Sequence, residues 1–517
     1  MLASLWPWAG GIMRNTRGWI VALAVAGSLA GCTADGDDAS QQKSGRLLGS
    51  IAFEPCTLSS AMAPISIDAQ CAKLDVPEDP AQPGGRHIAL NLAWLPAGDR
   101  GATAPDPVFF LAGGPGQAAT EYAALIDHAL REVRKQRDIV LVDQRGTGAL
   151  SPLVCRDGNG QALKPPGDDE VDADAIAGYA ARCAQALAGK ADPRQYTTTR
   201  AVEDLDAVRR AIGAQQVNLV GVSYGTRVAQ QFAMRHPRHV RSLVLDGVAP
   251  NDLVVGGEFA RTFERALDLQ AAHCRSLPGC RQRFPRDLRT QLHGLKSRLE
   301  TAPVAVDYRD PSTGRKRRDT LTADTVVGLT HMFSYMPQMM SLLPVVLDEA
   351  DRGDYASLMA LAQIATRGME GSMSRGMQWS VICAEDADRY VPDPKDADTV
   401  LGAQTAPAFF AACKAWPRGT RPADFNRPLR SDVPALLMSG EIDPVTPPAY
   451  GERVLSGLRN GRHLVLRGQG HNVGGVGCMP KLVGQFIETL DAKALDASCL
   501  DAIGYVPPFT GFNGWEP

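Results

Sequence analysis

The sequence predicts an α/β fold, a mostly parallel sheet flanked by helices on both faces and interrupted by an inserted helical segment. Three observations predict it. Short apolar runs at 107–111, 138–142, 217–220, 242–245, 433–438 and 462–466 lack the polar alternation of a strand with one wet face, so they read as strands buried on both sides. Between them lie stretches with helical spacing, most clearly 199–212, where Val202, Leu205, Val208 and Ile212 share one side and Gly213 supplies a stop. The alternation then breaks after Pro250. From Phe259 to about Arg430 the apolar positions recur at helical spacing with no strong strand-like run, and strands return only at Val433.

Taken in order, Arg14 and Arg17 precede an apolar run from Trp19 to Ala30 that is too short to cross a bilayer and ends in Leu29-Ala30-Gly31-Cys32. This resembles a bacterial lipoprotein signal. The resemblance implies removal of residues 1–31, acylation of Cys32 and a membrane held through that anchor. Thr33 after the cysteine resembles the sorting pattern of outer-membrane lipoproteins, so a periplasm-facing location at the outer membrane is expected. The alternative is an ordinary secretory signal with an incidental cysteine; separately, Met13 is a candidate true start, since Met1 to Ile12 adds nothing a signal needs. Residues 32–50 are expected to be a flexible tether, since 35–44 is small and polar with three acids. Residues 51–250 then form the first part of the core, 251–430 the helical cap, and 431–517 the second part of the core.

Export gives the cysteine count meaning. Of eleven cysteines, ten remain after Cys32, an even number falling into neighbouring pairs. Pairing of Cys56 with Cys71, Cys155 with Cys183, Cys274 with Cys280, Cys383 with Cys413 and Cys478 with Cys499 is expected, although sequence alone does not fix connectivity. Without Cys-x-x-Cys spacing or clustered histidines, no metal or cofactor is expected.

The most informative stretch is Gly221-Val222-Ser223-Tyr224-Gly225. A buried strand precedes it and a helix follows, so Ser223 sits on a forced strand-to-helix turn that lifts its hydroxyl clear of the sheet, with glycines two residues either side to relieve the crowding. A serine hydroxyl needs a histidine to take its proton and an acid to orient that histidine. In the chain order serine, acid, histidine, His471 in the loop Gly468-Gln469-Gly470-His471-Asn472 is the expected base; His463 begins a strand, where a structural role fits better. Asp443 follows the strand ending at Met438 and is the expected acid, with Asp246 and Glu441 as rivals. The oxyanion needs two backbone donors, expected at Tyr224 and at Gly114 in the loop Ala112-Gly113-Gly114-Pro115-Gly116.

These motifs, with Asp143-Gln144-Arg145-Gly146-Thr147-Gly148, Tyr196-Thr197-Thr198 and Asp443-Pro444-Val445-Thr446-Pro447, resemble in order the prolyl-iminopeptidase and tripeptidyl-aminopeptidase branch of the α/β-hydrolases. The resemblance implies an α/β-hydrolase fold with an inserted helical cap, a carboxy-terminal segment like that of the tripeptidyl aminopeptidases, and exopeptidase action on peptides with a free amino terminus. Ala112 departs from the histidine usual before the two glycines of strict prolyl iminopeptidases. The Asp143 to Gly146 run is expected to brace the oxyanion loop. Cap residues Trp379-Ser380-Val381-Ile382-Cys383-Ala384-Glu385-Asp386 resemble the family's tryptophan-to-acid motif, and Glu385 is the expected carboxylate for the substrate ammonium.

A formal net charge of −3 shows no basic excess and argues against nucleic acid as a partner. The leading expectation is a serine aminopeptidase. The alternatives are a carboxylesterase with the same triad and a non-catalytic envelope protein that binds a ligand.

Overall fold

Ten strands form one sheet in the order β1-β2-β3-β4-β6-β5-β7-β8-β11-β12. They are β1 (Arg46–Leu48), β2 (Ile51–Ser59), β3 (Ser66–Pro77), β4 (His87–Leu95), β5 (Val108–Leu111), β6 (Ile139–Val142), β7 (Val217–Val222), β8 (Val240–Asp246), β11 (Ala435–Gly440) and β12 (Gly461–Leu466). A separate antiparallel hairpin pairs β9 (Val304–Arg309) with β10 (Lys316–Leu321). This computed structural model describes residues 45–511 except 61–64, 100, 102, 165, 167–171 and 370–372, together with 513 and 514. The expected signal and Cys32 lie outside the described residues, and no described helix is long and apolar enough to cross a membrane.

Strands β6, β5, β7, β8, β11 and β12 run parallel, as their continuous apolar sequences require; β5 and β6 are buried throughout. The flanks differ from the sequence expectation. Strands β2 and β3 were not legible as a pair, and they add an antiparallel extension that includes β1. Residues 46–48 lie in the expected tether but belong to the sheet. Gly49 turns the chain at φ 60°, the Ser50 N–H and hydroxyl donate to the Ala211 carbonyl, and the Arg46 guanidinium lies 4.4 Å over the Trp94 ring.

Two apolar layers cover the sheet. One packs the helices Thr198–Ala211 and Tyr224–Arg235 with Phe109, Leu219 and Leu245, while the other packs the helix Met479–Thr489 with Phe110, Val220 and Leu436. The first of those helices begins where Thr197 accepts the Arg200 N–H as an N-cap and stops before Gly213 at φ 76°. Each large side chain buried here stabilises the fold by about 1.5–3 kcal/mol. The cap has its own core, in which Phe263, Leu292, Val326 and Leu347 pack between helices. Its β9–β10 hairpin is absent from the sequence reading because β10 is mostly exposed and charged, giving no buried run to detect. Of the methionines at 336, 339 and 340 in the cap, Met340 is buried in its core whereas Met336 is exposed.

All five expected disulfides form, Cys56–Cys71, Cys155–Cys183, Cys274–Cys280, Cys383–Cys413 and Cys478–Cys499. The register then delivers the site: Leu111 lies opposite Gly221, Val222 opposite Asp246, and Asp246 opposite Met438, so four parallel strands end side by side.

Candidate active site

Ser223 caps β7 at φ 56°, ψ −125°, a strained conformation for a residue with a Cβ. The glycines around it are obligatory. A methyl on Gly221 would stand 2.4 Å from the Gly225 carbonyl oxygen, and one on Gly225 would stand 2.1 Å from that of Leu111. The turn is therefore held by backbone packed on backbone, with the Ser223 N–H donating to the Asp246 carbonyl at 2.8 Å.

Asp443 and His471 meet as expected. The imidazole Nδ1 lies 2.7 Å from Asp443 Oδ2, and the carboxylate is fully buried. Its Oδ1 accepts the N–H groups of Val445 at 2.9 Å and Thr446 at 2.8 Å, while the Thr446 hydroxyl donates to Oδ2 at 2.9 Å. Burial alone would raise the Asp443 pKa, but the imidazole and these donors hold it below the usual carboxylate value. Burial likewise opposes protonation of His471, and the Asp443 charge overrides it, raising the imidazole pKa. The ring packs over Gly247, where a methyl would stand 2.9 Å from its Cε1. Asp246 and Gly247 thus contact the serine through one residue and the imidazole through the next, which brings alcohol and base to the same strand end.

The rivals are occupied elsewhere. Asp246 accepts the N–H groups of Val473 and Gly474, fixing the loop beyond the histidine, and burial pushes its pKa to about 6. Glu441 accepts the Gly468 N–H at 2.9 Å. His463 lies between Glu452 and Ser439, a structural bridge.

Residues 106–285 match the family described as alpha/beta hydrolase fold, and residues 398–499 match that described as TAP-like protein. The chain is an α/β-hydrolase of the tripeptidyl-aminopeptidase-like family. Over 495 residues it is 28% identical to the serine protease Hip1 of Mycobacterium tuberculosis, covering 89% of this chain and 93% of that protein. It is 31% identical over 191 residues to the tripeptidyl aminopeptidase of Streptomyces lividans, covering 35% of each. A solved proline iminopeptidase from Mycobacterium smegmatis is similar over 82% of this chain and all of that one, at 16% identity and a TM-score of 0.39. The two sequence relatives support a serine peptidase of the α/β-hydrolase kind.

In this hydrolase the loop after β5 folds over the serine. A methyl on Gly113 would stand 3.0 Å from Ser223 Cβ, and Gly114 adopts φ 107° before a cis bond to Pro115. Tyr224 is the first residue of its helix, so its N–H has no intrahelical acceptor. The run beginning at Asp143 braces this region through two separate anchors. Asp143 accepts the Thr120 N–H and hydroxyl at 2.9 and 2.8 Å and the Asn91 amide at 2.8 Å. Arg145 turns away to a two-point pairing with Asp204 and to the Glu78 and Gln195 carbonyls.

Glu385 requires a correction. It is fully buried, and both its oxygens are engaged by Thr198, from the N–H at 2.7 Å and the hydroxyl at 2.8 Å. The Thr198 hydroxyl also lies 2.6 Å from the Tyr224 phenol, with the Arg227–Asp386 ion pair alongside. Burial, partly offset by Arg227, raises the Glu385 pKa to about 7. The carboxylate acts beneath the nucleophile's helix, bracing Tyr224, and does not present a free oxygen to a substrate amine.

Two residues escaped sequence reasoning. Thr446, inside the motif that carries Asp443, lies 3.1 Å from His471 Nδ1 as well as bonding the acid. Its position three residues after the acid was the available signal. Tyr335 accepts the His471 N–H on its carbonyl at 2.9 Å and sets its ring edge-on to the imidazole at 5.3 Å. Nothing in the cap's local pattern marks it.

Proposed function

We propose that this hydrolase is a serine aminopeptidase that removes short amino-terminal fragments from peptides through an acyl-enzyme. The observation that carries the reading is the buried Asp443–His471 pair beside the strained Ser223 turn. His471 takes the Ser223 proton as the oxygen attacks the scissile carbonyl, while Asp443 stays ionised, fixing the tautomer and favouring the imidazolium that forms. The N–H groups of Tyr224 and Gly114 receive the oxyanion, each worth about 3–4 kcal/mol in the transition state. The imidazolium then protonates the departing amine, and a water deprotonated by His471 releases the acyl fragment.

Support for action at chain ends comes from how the cap meets the catalytic loops. The Ser374 N–H donates to the Gly116 carbonyl, the Thr262 hydroxyl to the Pro444 carbonyl and the His471 N–H to the Tyr335 carbonyl. A roof fastened to the oxyanion, acid and base loops favours an entering terminus over the middle of a long chain. On the sequence evidence we place this enzyme at the periplasmic face of the envelope through Cys32.

A fluorophosphonate probe is expected to label the protein and to leave Ser223→Ala unlabelled. Peptidyl arylamides with a free amino terminus are expected to turn over faster than their acetylated counterparts. Equal turnover of the two, with ready hydrolysis of simple acyl esters, would replace the peptidase by an esterase.

A further inference from the structure

The chain beyond the helix Met479–Thr489 crosses from the core to the cap by way of the catalytic loops. Its start is pinned by the disulfide Cys478–Cys499 and by Ile503, which packs against the second apolar layer with its Cδ1 2.7 Å from where a methyl on Gly477 would stand. It then runs over the loop that carries His471. The Gln469 amide donates to the Gly504 carbonyl at 3.0 Å, and a methyl on Gly468 would stand 2.5 Å from Tyr505 Cα, so backbone lies on backbone. The Tyr505 phenol bonds Glu441, the carboxylate that also accepts the Gly468 N–H, just before Asp443 in the chain. Beyond the loop the segment reaches the cap. The Tyr505 ring stacks on His273 at 4.3 Å, the Phe509 N–H donates to the Ser341 carbonyl at 2.8 Å, and Phe509 packs against the cluster of Cys280, Phe284 and Val345. A strap thus joins core, base loop and cap.

The bridge that anchors this strap differs from the other four. Cys155, Cys183, Cys280, Cys383 and Cys413 are buried, and Cys56, Cys71, Cys274 and Cys478 are half-buried, whereas Cys499 is exposed. Cys478 is the N-cap of the helix Met479–Thr489, whose first turn holds no acidic side chain. A thiolate there meets the positive end of the helix, which lowers its pKa and makes it the better leaving group. The accessible half of the bridge and the readily released half are therefore different residues, as attack from solvent requires.

We propose that Cys478–Cys499 is a thiol–disulfide exchange site for a dithiol, and that opening it slackens the strap and impairs the base loop. A thiolate of the dithiol bonds to Cys499 Sγ, the S–S bond breaks, and its electron pair departs on Cys478 Sγ. The second thiolate then displaces Cys499 and closes the reductant's own disulfide, so that two electrons and two protons have passed from the dithiol to the pair. With the anchor open, the backbone of 504 and 505 is no longer fixed against Gly468 and Gln469, beside the catalytic imidazole. The oxidised bridge is the active form.

The test treats the full-length protein with graded dithiothreitol and alkylates the free thiols. It follows the alkylated cysteines by mass spectrometry and the rate at which a fluorophosphonate labels Ser223. Cys478 and Cys499 are expected to be alkylated before the cysteines of any other bridge, with labelling slowed about ten-fold and restored on reoxidation, since small misplacements of a catalytic group are costly. The double variant Cys478→Ser/Cys499→Ser is expected to be slow from the start and indifferent to low dithiothreitol. Tyr505→Ala keeps the bridge but loosens the strap over the loop, and should be slowed as well. Alkylation that falls first on another bridge overturns the exchange site. An opened Cys478–Cys499 bridge with an unchanged labelling rate, a loss that reoxidation does not restore, or a Tyr505→Ala enzyme as fast as the wild type overturns the link to the base loop. The probe reads nucleophile and base without a substrate amine, so none of these outcomes bears on the aminopeptidase reading.

Discussion

Asp246 ends β8 and Asp443 lies three residues beyond the end of its parallel neighbour β11, both buried and both close to His471, yet their environments drive them in opposite directions. Asp443 meets the imidazole directly, and its carboxylate is held below the usual value. Asp246 meets only backbone N–H groups of the loop beyond the imidazole, and burial carries it up to about 6. The difference teaches that a strand-end position makes an acid available, while the direct partner decides whether it orients a base or holds a loop.

The largest effect should come from breaking the direct partnership. Asp443→Asn is expected to lower kcat about 10,000-fold, since the amide can no longer fix the tautomer or favour the imidazolium. Its residual kcat/KM should fall off at lower pH than in the wild type, because the charge that raises the His471 pKa is gone. Thr446→Val, which removes a hydroxyl bonded to the acid and near the base, is expected to cost about ten-fold in kcat, read from steady-state turnover.

Asp246→Asn should change kcat less than either, and it sharpens the contrast in stability instead. With a folded pKa of about 6, Asp246 makes the wild type lose stability as pH rises from about 4 through 6, because the folded state holds the proton more tightly. Asp443 works in the other sense: its depressed pKa contributes stability that is present above about 4 and lost as pH falls through its folded pKa. Urea midpoints measured across pH should show the first slope flattened in Asp246→Asn and the second flattened in Asp443→Asn. The smallest effect is expected for His463→Gln, with activity unchanged and stability lower by about 1 kcal/mol from the lost bridge between Glu452 and Ser439.

The same contrast explains what could be read from the sequence. Ser223, Asp443 and His471 were legible because chain order and apolar strands place them, and those are properties of local sequence. Glu385 was misplaced because its neighbours along the chain say nothing of Thr198, nearly two hundred residues earlier, whose N–H and hydroxyl fill its oxygens. Strands β2 and β3 escaped because exposed and partly exposed residues mix along them without clean alternation. Tyr335 escaped because its main contribution is a carbonyl, which every residue carries.

Two of the seams between cap and core, Ser374 to Gly116 and His471 to Tyr335, are bonds from main chain to main chain. Side-chain replacement cannot delete them directly. The roof over the cleft can therefore be repopulated with different residues, by natural drift or by a randomised library, while its registration against the catalytic loops persists. New substrate preferences become accessible to this scaffold without dismantling the machinery beneath.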